Sequence, residues 1–434
     1  MLETKHGVRP VAVNENLVRA MGTFALAAAI INITVGGGIF RLPSSVAASL
    51  GAAAPLAYLV CAAAMGLIVF CIADAGKRVA LTGGPYAYVG AAFGAYAAFM
   101  SGVFLWLLGT FAAAAVSTVF AASVGLLVPA LAGRTMETIT LAVALTFWSV
   151  INIRGVTLGS RLNSIATVAK LLPLLLVAIG GLFFIRGENL EWQTAPAAAD
   201  VARTSLLLIF AFAGIEVALV PSGEVRDPAR TVPRAIAVAM IGITTLYVLL
   251  QVSAQGILGG DLASATAAPL ADAAGASMGA WARSVLLAGA AISMFGYLGG
   301  MTLSMPRMLY AFARDGFLPR TLASTDPDRK TPHYAIVVQS ALTLALAATG
   351  TFEPLAILAN VSALALYLGC ALAAWRLRAG STAGVMGVIP WITCAVIAWL
   401  LTGLTRAEWL GFGVCLAVAS LVYAATASSR RRAA

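Results

Sequence analysis

The stretch Thr34-Val-Gly-Gly-Gly-Ile-Phe-Arg-Leu-Pro43 lies inside a long apolar segment, from about residue 21 to 54, that otherwise has the composition of one membrane-spanning helix. Three consecutive glycines disfavour a continuous helix, because each costs about 1 kcal/mol relative to alanine. They predict a break at the depth of the bilayer. Backbone N–H and C=O groups freed at that depth are tolerated only where they line a polar cavity or meet a ligand. The alternative is that the glycines allow close packing between helices.

The composition of the chain is that of a polytopic membrane protein. Of its 434 residues, 61% are hydrophobic and only 10% are charged, which a soluble domain of this size would not show. Apolar segments of about 20 residues recur without the alternation of barrel strands, so the sequence predicts an all-α fold. No cleavable signal peptide is expected, because residues 1–20 are polar and the apolar segment after them is too long.

The hydropathy pattern predicts about twelve membrane spans in a single domain that covers residues 1–434. The approximate limits of these spans are 21–49, 54–75, 88–128, 137–153, 158–185, 202–222, 233–258, 281–312, 333–350, 354–376, 384–403 and 408–427. Residues 1–20 are expected to form a cytoplasmic tail.

Basic residues are distributed unevenly between the two sides of this topology. Loops on one side hold 20 of the 27 lysines and arginines, and loops on the other side hold five. Because basic loops stay in the cytoplasm, this bias predicts that both termini are cytoplasmic and that the protein lies in the inner (cytoplasmic) membrane. The scatter of basic residues over many short loops argues against nucleic-acid binding, despite the net charge of +10.

Three charged residues lie deep inside predicted spans. Lys170 is about a dozen residues from either end of the fifth span, so at about 1.5 Å per residue its ammonium group cannot reach water. A charged group at that depth is a candidate functional residue, although a lysine held by backbone carbonyls for structural reasons is the alternative. Glu216 in the sixth span and Arg41 in the first are the other two. For Glu216 the alternative is a carboxyl group that is protonated or hydrogen-bonded to nearby backbone.

A second weak point, Phe210-Ala-Phe-Ala-Gly-Ile-Glu216, interrupts the sixth span. It comes five spans after the first weak point, so the two interrupted helices would cross the membrane in opposite directions. This is the pattern of an inverted repeat, and transporters built this way bind substrate between the two discontinuous helices at the bilayer midplane. The sequence thus predicts a first repeat over residues 21–185, an inverted second repeat over 202–376, and two additional helices over 384–427.

Five motifs, taken in order, carry a resemblance to a known family. They are Gly36-Gly-Gly-Ile-Phe40, Gly83-Gly-Pro-Tyr-Ala-Tyr88, Phe210-Ala-Phe-Ala-Gly-Ile-Glu216, Glu224-Val-Arg-Asp-Pro228 and Arg307-Met-Leu-Tyr-Ala-Phe-Ala-Arg-Asp-Gly-Phe-Leu-Pro319. With them the chain resembles the amino acid-polyamine-organocation (APC) superfamily of transporters over about the first ten spans. The resemblance implies a five-plus-five inverted repeat of the leucine-transporter (LeuT) type, with helices 1 and 6 discontinuous, acting as an amino-acid symporter or exchanger. One departure is Gly37, where the family often has a small polar residue, so a hydroxyl contact is lost while the N–H groups remain.

The first break offers main-chain groups for both ends of an amino acid. The helix after it would begin near Ile39, so the N–H groups of Gly37, Gly38 and Ile39 would point into the cavity at the positive end of a helix dipole, which suits a carboxylate. The helix before it would end near Thr34 and Val35, where free carbonyl groups suit an ammonium.

The sixth span would add further carbonyl groups at the end of its outer half, at Phe210, Phe212, Ala213 and Gly214. Together with Gly36 and the other residues of the first break, these form the predicted substrate site. It would bind the zwitterionic part common to amino acids and leave the side chain to the surrounding walls. In APC relatives the main-chain contacts with substrate fall at these two breaks, which is what the resemblance adds.

The sequence says less about which amino acid is carried. The third span, residues 88–128, has no acidic residue to pair with a cationic side chain, so we expect a neutral substrate. An acidic amino acid or another small amine is the alternative. Phe210, Phe212, Tyr297 and Met301 could form an apolar wall, or could simply pack in the core.

Coupling and gating are assigned to Lys170, Glu216, Arg41 and Tyr297. The resemblance implies that a lysine at this point of the fifth span occupies the region where sodium-coupled relatives bind their cation, touching the break in the first span, so we expect sodium-independent transport. A buried lysine gives up its proton more readily than one in water, so proton symport and amino-acid exchange both stay open. Glu216, beside the second break, is expected to influence opening and closing. Arg41 could contact an acidic substrate or close an outer gate, or it could neutralise a carboxyl group or reach outer water.

Other classes of function are disfavoured by the sequence. It offers two histidines, no metal-binding cluster, and no nucleophile with a base at a recognisable spacing, so an integral-membrane enzyme is the weaker alternative and no cofactor or metal is expected. A channel is disfavoured because there is no repeated filter motif. The expected partners are a small-molecule amino acid, the lipid bilayer and, in a symport mechanism, protons. The oligomeric state stays open.

Overall fold

Helices account for the regular secondary structure of the chain wherever the structure describes it. The computed structural model describes residues 22–79, 84–154, 171–192, 194–215, 228–326, 329, 331–378 and 387–426, and these residues contain no strand. Seven of their stretches are long and apolar enough to cross a membrane, and further apolar helices are shorter. The protein is therefore an all-α polytopic membrane protein, as its composition predicts.

The helices of the first half of the chain precede residue 185. They are α1 (Thr23–Thr34), α2 (Gly38–Leu50), α3 (Ala54–Arg78), α4 (Pro85–Phe93), α5 (Ala95–Leu127), α6 (Arg134–Arg154) and α7 (Leu171–Phe184), whose last part is a π turn followed by a 3-10 turn. Short 3-10 turns come after α2, α5 and α7, at Gly51–Ala53, Pro129–Leu131 and Gly187–Leu190.

The second half of the chain continues the same pattern. Its helices are α8 (Ala198–Phe212), α9 (Pro228–Leu258), α10 (Pro269–Met278), α11 (Ala280–Arg314), α12 (His333–Thr349), α13 (Phe352–Arg376), α14 (Ile389–Leu401) and α15 (Arg406–Ala425). Two 3-10 turns lie at Gly259–Ala263 and Arg320–Ala323.

The predicted break in the first span is present. α1 ends at Thr34 and α2 begins at Gly38, so the glycine run joins two separate helices. The N–H group of Val35 closes α1 by donating to the carbonyl of Ile31 at 2.9 Å. The break occurs where the helix-disfavouring glycines predict it, within one residue.

The third predicted span, residues 88–128, is wrong as a single helix. The structure has two helices there, α4 and α5, which are separated at Gly94. Gly94 has a φ angle of 86°, a left-handed conformation that glycine adopts without the cost a Cβ atom would bring. Its N–H group donates to the carbonyl of Gly90 at 2.8 Å, which ends α4.

Helix α10 is a further element that hydropathy does not predict, because its 10 residues are too few for a span. It packs against α2, α9 and α11. It therefore covers the helix that follows the first break.

α5 packs against α11 and α13. α9 packs against α1 and α3, and α8 packs against α2 and α3, which brings the two interrupted spans together. The twelve-span count and the inverted repeat stay predictions, because residues 155–170 and 216–227 of the fifth and sixth predicted spans lie outside the described residues.

Candidate substrate site at the helix breaks

The first break is enclosed by the rest of the molecule. Gly36 is half-buried, and the other predicted site residues of this break are buried, namely Thr34, Val35, Gly37, Gly38 and Ile39. The last carbonyl groups of α1 and the first N–H groups of α2 have no partners within their own helices. In a protein interior such groups need another polar partner. The break therefore presents acceptors from one helix end and donors from the next.

The second break follows the end of α8 at Phe212. The N–H group of Ala213 donates to the carbonyl of Ile209 at 2.8 Å, and Ala213 itself has an extended conformation. Gly214 has a φ angle of 113°, which favours glycine strongly. The chain thus leaves the helical path at Ala213 and Gly214, where the sequence predicts it.

The two breaks lie directly against each other. A Cβ atom added to Gly38 would lie 2.8 Å from Cδ1 of Phe210 and 3.4 Å from Cα of Ala211. A Cβ atom added to Gly214 would lie 3.0 Å from Cγ2 of Ile33 and 3.4 Å from its carbonyl oxygen. The start of α2 therefore faces the end of α8, and the end of α1 faces the residues after α8. The structure brings together the two sets of predicted main-chain groups.

Tyr247 of α9 connects the carbonyl groups of the two breaks. Its hydroxyl group donates to the carbonyl of Ala211 at 2.8 Å, and it also lies 3.3 Å from the carbonyl of Thr34. The side chain is fully buried, and the ring of Phe212 packs edge-on against it with 5.2 Å between ring centroids. One hydroxyl group therefore serves the acceptor ends of α1 and α8 together.

Gln251, one helical turn after Tyr247, reaches the other side of the first break. Its amide Nε2 lies 3.5 Å from the carbonyl of Pro43 in α2, and its Oε1 accepts a hydrogen bond from the hydroxyl of Tyr58 at 3.1 Å. Because Tyr247 and Gln251 share one face of α9, that face contacts both halves of the interrupted first span.

A second side chain holds α8 in place from α13. The amide Nδ2 of Asn360 donates to the carbonyls of Leu206 and Leu207, at 2.8 and 3.1 Å. Asn360 is fully buried. The half of the sixth span that precedes the break is thus bonded to α13 as well as to α9.

Apolar side chains close the space beside the glycines. Val116 of α5 contacts Gly37, where an added Cβ would lie 3.0 Å from Cγ2 of Val116. Phe210, which contacts Gly38, packs edge-on against Phe352 at the start of α13, with 5.4 Å between ring centroids. The glycine run is therefore both a helix break and a close packing contact in this conformation, and Phe210, one of the predicted wall residues, packs against it.

The other predicted wall and gate residues have different surroundings. Phe212 packs behind the break against Tyr247. Met301 lines a small cavity between α5, α6, α11 and α12, with room for about one water. Tyr297 is half-buried on α11, and Arg41 is half-buried one turn into α2. Lys170 and Glu216, the predicted coupling residue and the predicted gating residue, lie outside the described residues.

Sequence reasoning missed Tyr247. Charged residues stand out inside apolar spans, whereas a tyrosine in an apolar helix does not. The signal that could have found it is its position near the middle of the seventh predicted span, 233–258, because a hydroxyl group at that depth needs a buried partner.

Residues 21–429 match the amino acid permease family. The chain belongs to this family. The match covers nearly the whole chain and both breaks, and it confirms the resemblance to the APC superfamily. The permease is accordingly a transporter of amino acids or related substrates.

Three relatives are similar to this permease over most of its length. A methylthioribose transporter of Bacillus subtilis is 25% identical over 439 residues, which cover 94% of each chain. An uncharacterized transporter of Mycobacterium tuberculosis is 31% identical over 348 residues, which cover 78% of this chain and 76% of the relative. A branched-chain amino acid permease of Bacillus subtilis is 25% identical over 380 residues, which cover 84% of this chain and 82% of the relative.

Proposed function

We propose that this permease carries a neutral amino acid by alternating access, with the substrate held between the two helix breaks. The observation that supports the proposal most strongly is the direct contact between the start of α2 and the end of α8. That contact brings the start of α2, whose first N–H groups have no partner within their own helix, against the end of α8, whose last carbonyl groups have none within theirs. An amino acid is the small molecule whose two charged groups match both sets.

Each end of the substrate has a chemically suitable partner. The carboxylate would accept hydrogen bonds from the N–H groups of Gly37, Gly38 and Ile39 at the positive end of the α2 dipole. The ammonium group would donate to the carbonyls of Thr34 and Ala211, which the Tyr247 hydroxyl occupies in this conformation. The hydroxyl and the ammonium therefore compete for the same acceptors.

A neutral side chain fits the surroundings of the breaks. Phe210 and Val116, which contact Gly38 and Gly37, offer apolar surface and no charge. α4 and α5 contain no acidic residue that could pair with a cationic side chain. We infer that the substrate side chain packs against these two residues once Phe210 moves away from Gly38.

Coupling is assigned to Lys170 and gating to Glu216, Arg41 and Tyr297. A lysine beside the first break would supply the charge that sodium supplies in other transporters, so transport is sodium-independent and proceeds by proton symport or by exchange. Lys170→Ala should keep measurable substrate binding, lose most transport, and flatten any proton dependence that the parent shows. Strong stimulation of the parent by sodium would contradict this assignment.

A sugar-like substrate is the second candidate, because the methylthioribose transporter of Bacillus subtilis aligns with nearly the whole chain. Methylthioribose has hydroxyl groups and no ammonium or carboxylate. It could bond to the same main-chain groups, but it would not use the charge of the α2 dipole.

The test is uptake by purified permease in proteoliposomes. Neutral, acidic and basic amino acids, small amines and methylthioribose are compared, while pH gradient, sodium and internal counter-substrate are varied independently. We expect uptake of one or more neutral amino acids without sodium, stimulated by a proton gradient or by counter-substrate. Uptake of methylthioribose with no uptake of any amino acid would favour the second candidate.

A further inference from the structure

Aromatic side chains gather where α13 ends, α14 begins and α4 ends. The rings of Trp375 and Trp391 meet edge-on with 5.3 Å between their centroids, and these side chains are 44% and 51% exposed. Phe93, the last residue of α4, is 37% exposed, and α4 packs against α13. Tryptophan is enriched at the level of the lipid headgroups, where one part of the ring is apolar and the other is polar. These helix ends therefore have the composition expected at the headgroup level.

Arg376 adds a cation to this aromatic group. Its guanidinium carbon lies 5.2 Å from the centroid of the Phe93 ring, and its side chain is exposed. A guanidinium that places its face on a ring keeps its N–H donors free at the edge of the plane. Those donors match the oxygen atoms of a phosphate group, which arginine binds in two-point fashion.

Two more arginines lie at the same end of α3 and α13. Nε of Arg378 donates to Oδ2 of Asp74 at 2.7 Å, and Nε of Arg78 lies 3.4 Å from the same oxygen. A single carboxylate therefore faces two arginines. With Arg376 included, these four side chains carry a net charge of +2.

We propose that Phe93, Trp375, Arg376 and Trp391, here called the interfacial cluster, bind the headgroup of an anionic phospholipid. The phosphate accepts hydrogen bonds from Arg376, and the acyl chains lie against the exposed tryptophan rings. The excess positive charge selects the lipid, because a zwitterionic headgroup brings its own cation to the same place. Inorganic phosphate lacks the acyl chains, so the aromatic side chains would add nothing to its binding. This site is separate from the substrate site and does not depend on which substrate is carried.

Native mass spectrometry of the purified full-length chain tests the proposal. The protein is titrated with phosphatidylglycerol and, separately, with phosphatidylcholine. We expect phosphatidylglycerol to bind more tightly, and Arg376→Gln to weaken its binding by about fivefold, as expected for one arginine near an anionic surface. Arg406→Gln is the matched control, because it removes an exposed arginine from the first turn of α15 and should leave phosphatidylglycerol binding unchanged.

Fluorescence quenching by lipids with brominated acyl chains gives a second measurement that needs no change at Arg376. Brominated phosphatidylglycerol should quench the parent more than brominated phosphatidylcholine does. The difference should disappear in a variant with Trp375→Phe and Trp391→Phe. Equal binding and equal quenching by the two lipids, or the same loss of affinity in Arg376→Gln and Arg406→Gln, would overturn the proposal.

Discussion

Polar side chains have different partners in the region of the helix breaks and in the group of helices α5, α6, α11 and α12. Near the breaks, two side chains of α9 bond to main-chain carbonyls. Tyr247 reaches the carbonyls of Ala211 and Thr34, and Gln251 reaches the carbonyl of Pro43. Thr34 and Ala211 lie in the last turns of α1 and α8, so Tyr247 satisfies carbonyl groups that an uninterrupted helix would satisfy by itself. Pro43 lies inside α2, so Gln251 adds a second bond there.

In the group of helices α5, α6, α11 and α12, here called the second region, side chains bond to one another between helices that are intact. Asn152 of α6 donates to the hydroxyl of Thr302 in α11 at 3.0 Å. Gln339 of α12 donates to the hydroxyl of Thr110 in α5 at 3.0 Å and accepts from the indole of Trp106 at 2.9 Å. Because intact helices satisfy their own backbone, these side chains are free to hold the helices together.

The difference indicates which contacts a ligand can replace. A carbonyl at a helix end can exchange a tyrosine hydroxyl for a substrate ammonium without loss of a hydrogen bond. A side-chain pair between intact helices has no such substitute. Changes near the breaks should therefore alter transport most, and changes in the second region should alter stability most.

The largest effect is expected from Gly38→Val. The Cβ atom of the new side chain would lie 2.8 Å from Cδ1 of Phe210, too close for a real contact, so the Phe210 ring would have to move and the valine would fill the space between the two breaks. We expect substrate binding and uptake to be lost while the protein still inserts into the membrane, as measured by thermal-shift binding and proteoliposome uptake. Gly36→Ala is the matched control, because its Cβ would meet only the carbonyl of Thr34, at an ordinary 3.8 Å. Normal binding by Gly38→Val would contradict a substrate site at the breaks.

A smaller effect is expected from Tyr247→Phe, which should raise substrate affinity. If the hydroxyl competes with the substrate ammonium, its removal leaves two buried acceptors that the substrate can satisfy. An unsatisfied buried group costs about 1–3 kcal/mol, so we expect substrate affinity to rise by about tenfold and turnover to slow. Isothermal titration measures the affinity, and uptake measures the turnover.

Tyr58→Phe is the control for that experiment. Its hydroxyl bonds to the side chain of Gln251 and not to a helix-end carbonyl, so its loss should leave substrate affinity near that of the parent. Weaker substrate binding by Tyr247→Phe would show that the hydroxyl helps to hold the substrate. It would then not compete with the substrate ammonium for the carbonyl groups.

The smallest effect on transport is expected in the second region. Asn152→Ala removes the donor to Thr302 and should lower the free energy of unfolding by about 1–3 kcal/mol, with unchanged substrate affinity. Thr302→Ser keeps the hydroxyl group and should lose less stability. Thermal unfolding in detergent, with and without substrate, is the measurement. If Asn152→Ala lost substrate binding at an unchanged melting temperature, the two regions would not differ in the way described. Changes among α5, α6, α11 and α12 would then alter transport and not stability.

The helix breaks could be predicted from the sequence because glycine acts locally. Gly36–Gly38 disfavour a helix wherever they occur in a chain, so the end of α1 follows from composition alone. The end of α8 has only one glycine beside it, Gly214, and its prediction rests on the whole Phe210–Glu216 motif and its resemblance to the APC superfamily. Gly94 was missed because a single glycine in a long apolar segment is compatible with a helix. Only its left-handed conformation, which depends on the surrounding packing, separates α4 from α5.

The partners across the site could not be predicted, because they depend on which helix faces are brought together. The contacts of Gly38 with Phe210, and of Tyr247 with Ala211 and Thr34, join residues far apart in the chain. Hydropathy identifies which segments are helices, but it does not give the rotation of one helix against another. The sequence could not decide between a ligand and a packing role for the glycines, and in the structure the same glycines pack tightly at the predicted site.

The most direct test of an amino-acid site at the breaks compares one substrate with its blocked forms. A neutral amino acid that is taken up in proteoliposomes is titrated into the purified protein beside its methyl ester, which lacks the carboxylate, and its N-acetyl derivative, which lacks the ammonium group. A hydrogen bond to a charged group contributes about 1.5–3 kcal/mol, so each blocked form should bind at least about tenfold more weakly than the free amino acid. Binding of either blocked form at full strength would contradict the assignment of that charged group to the main chain of the two breaks.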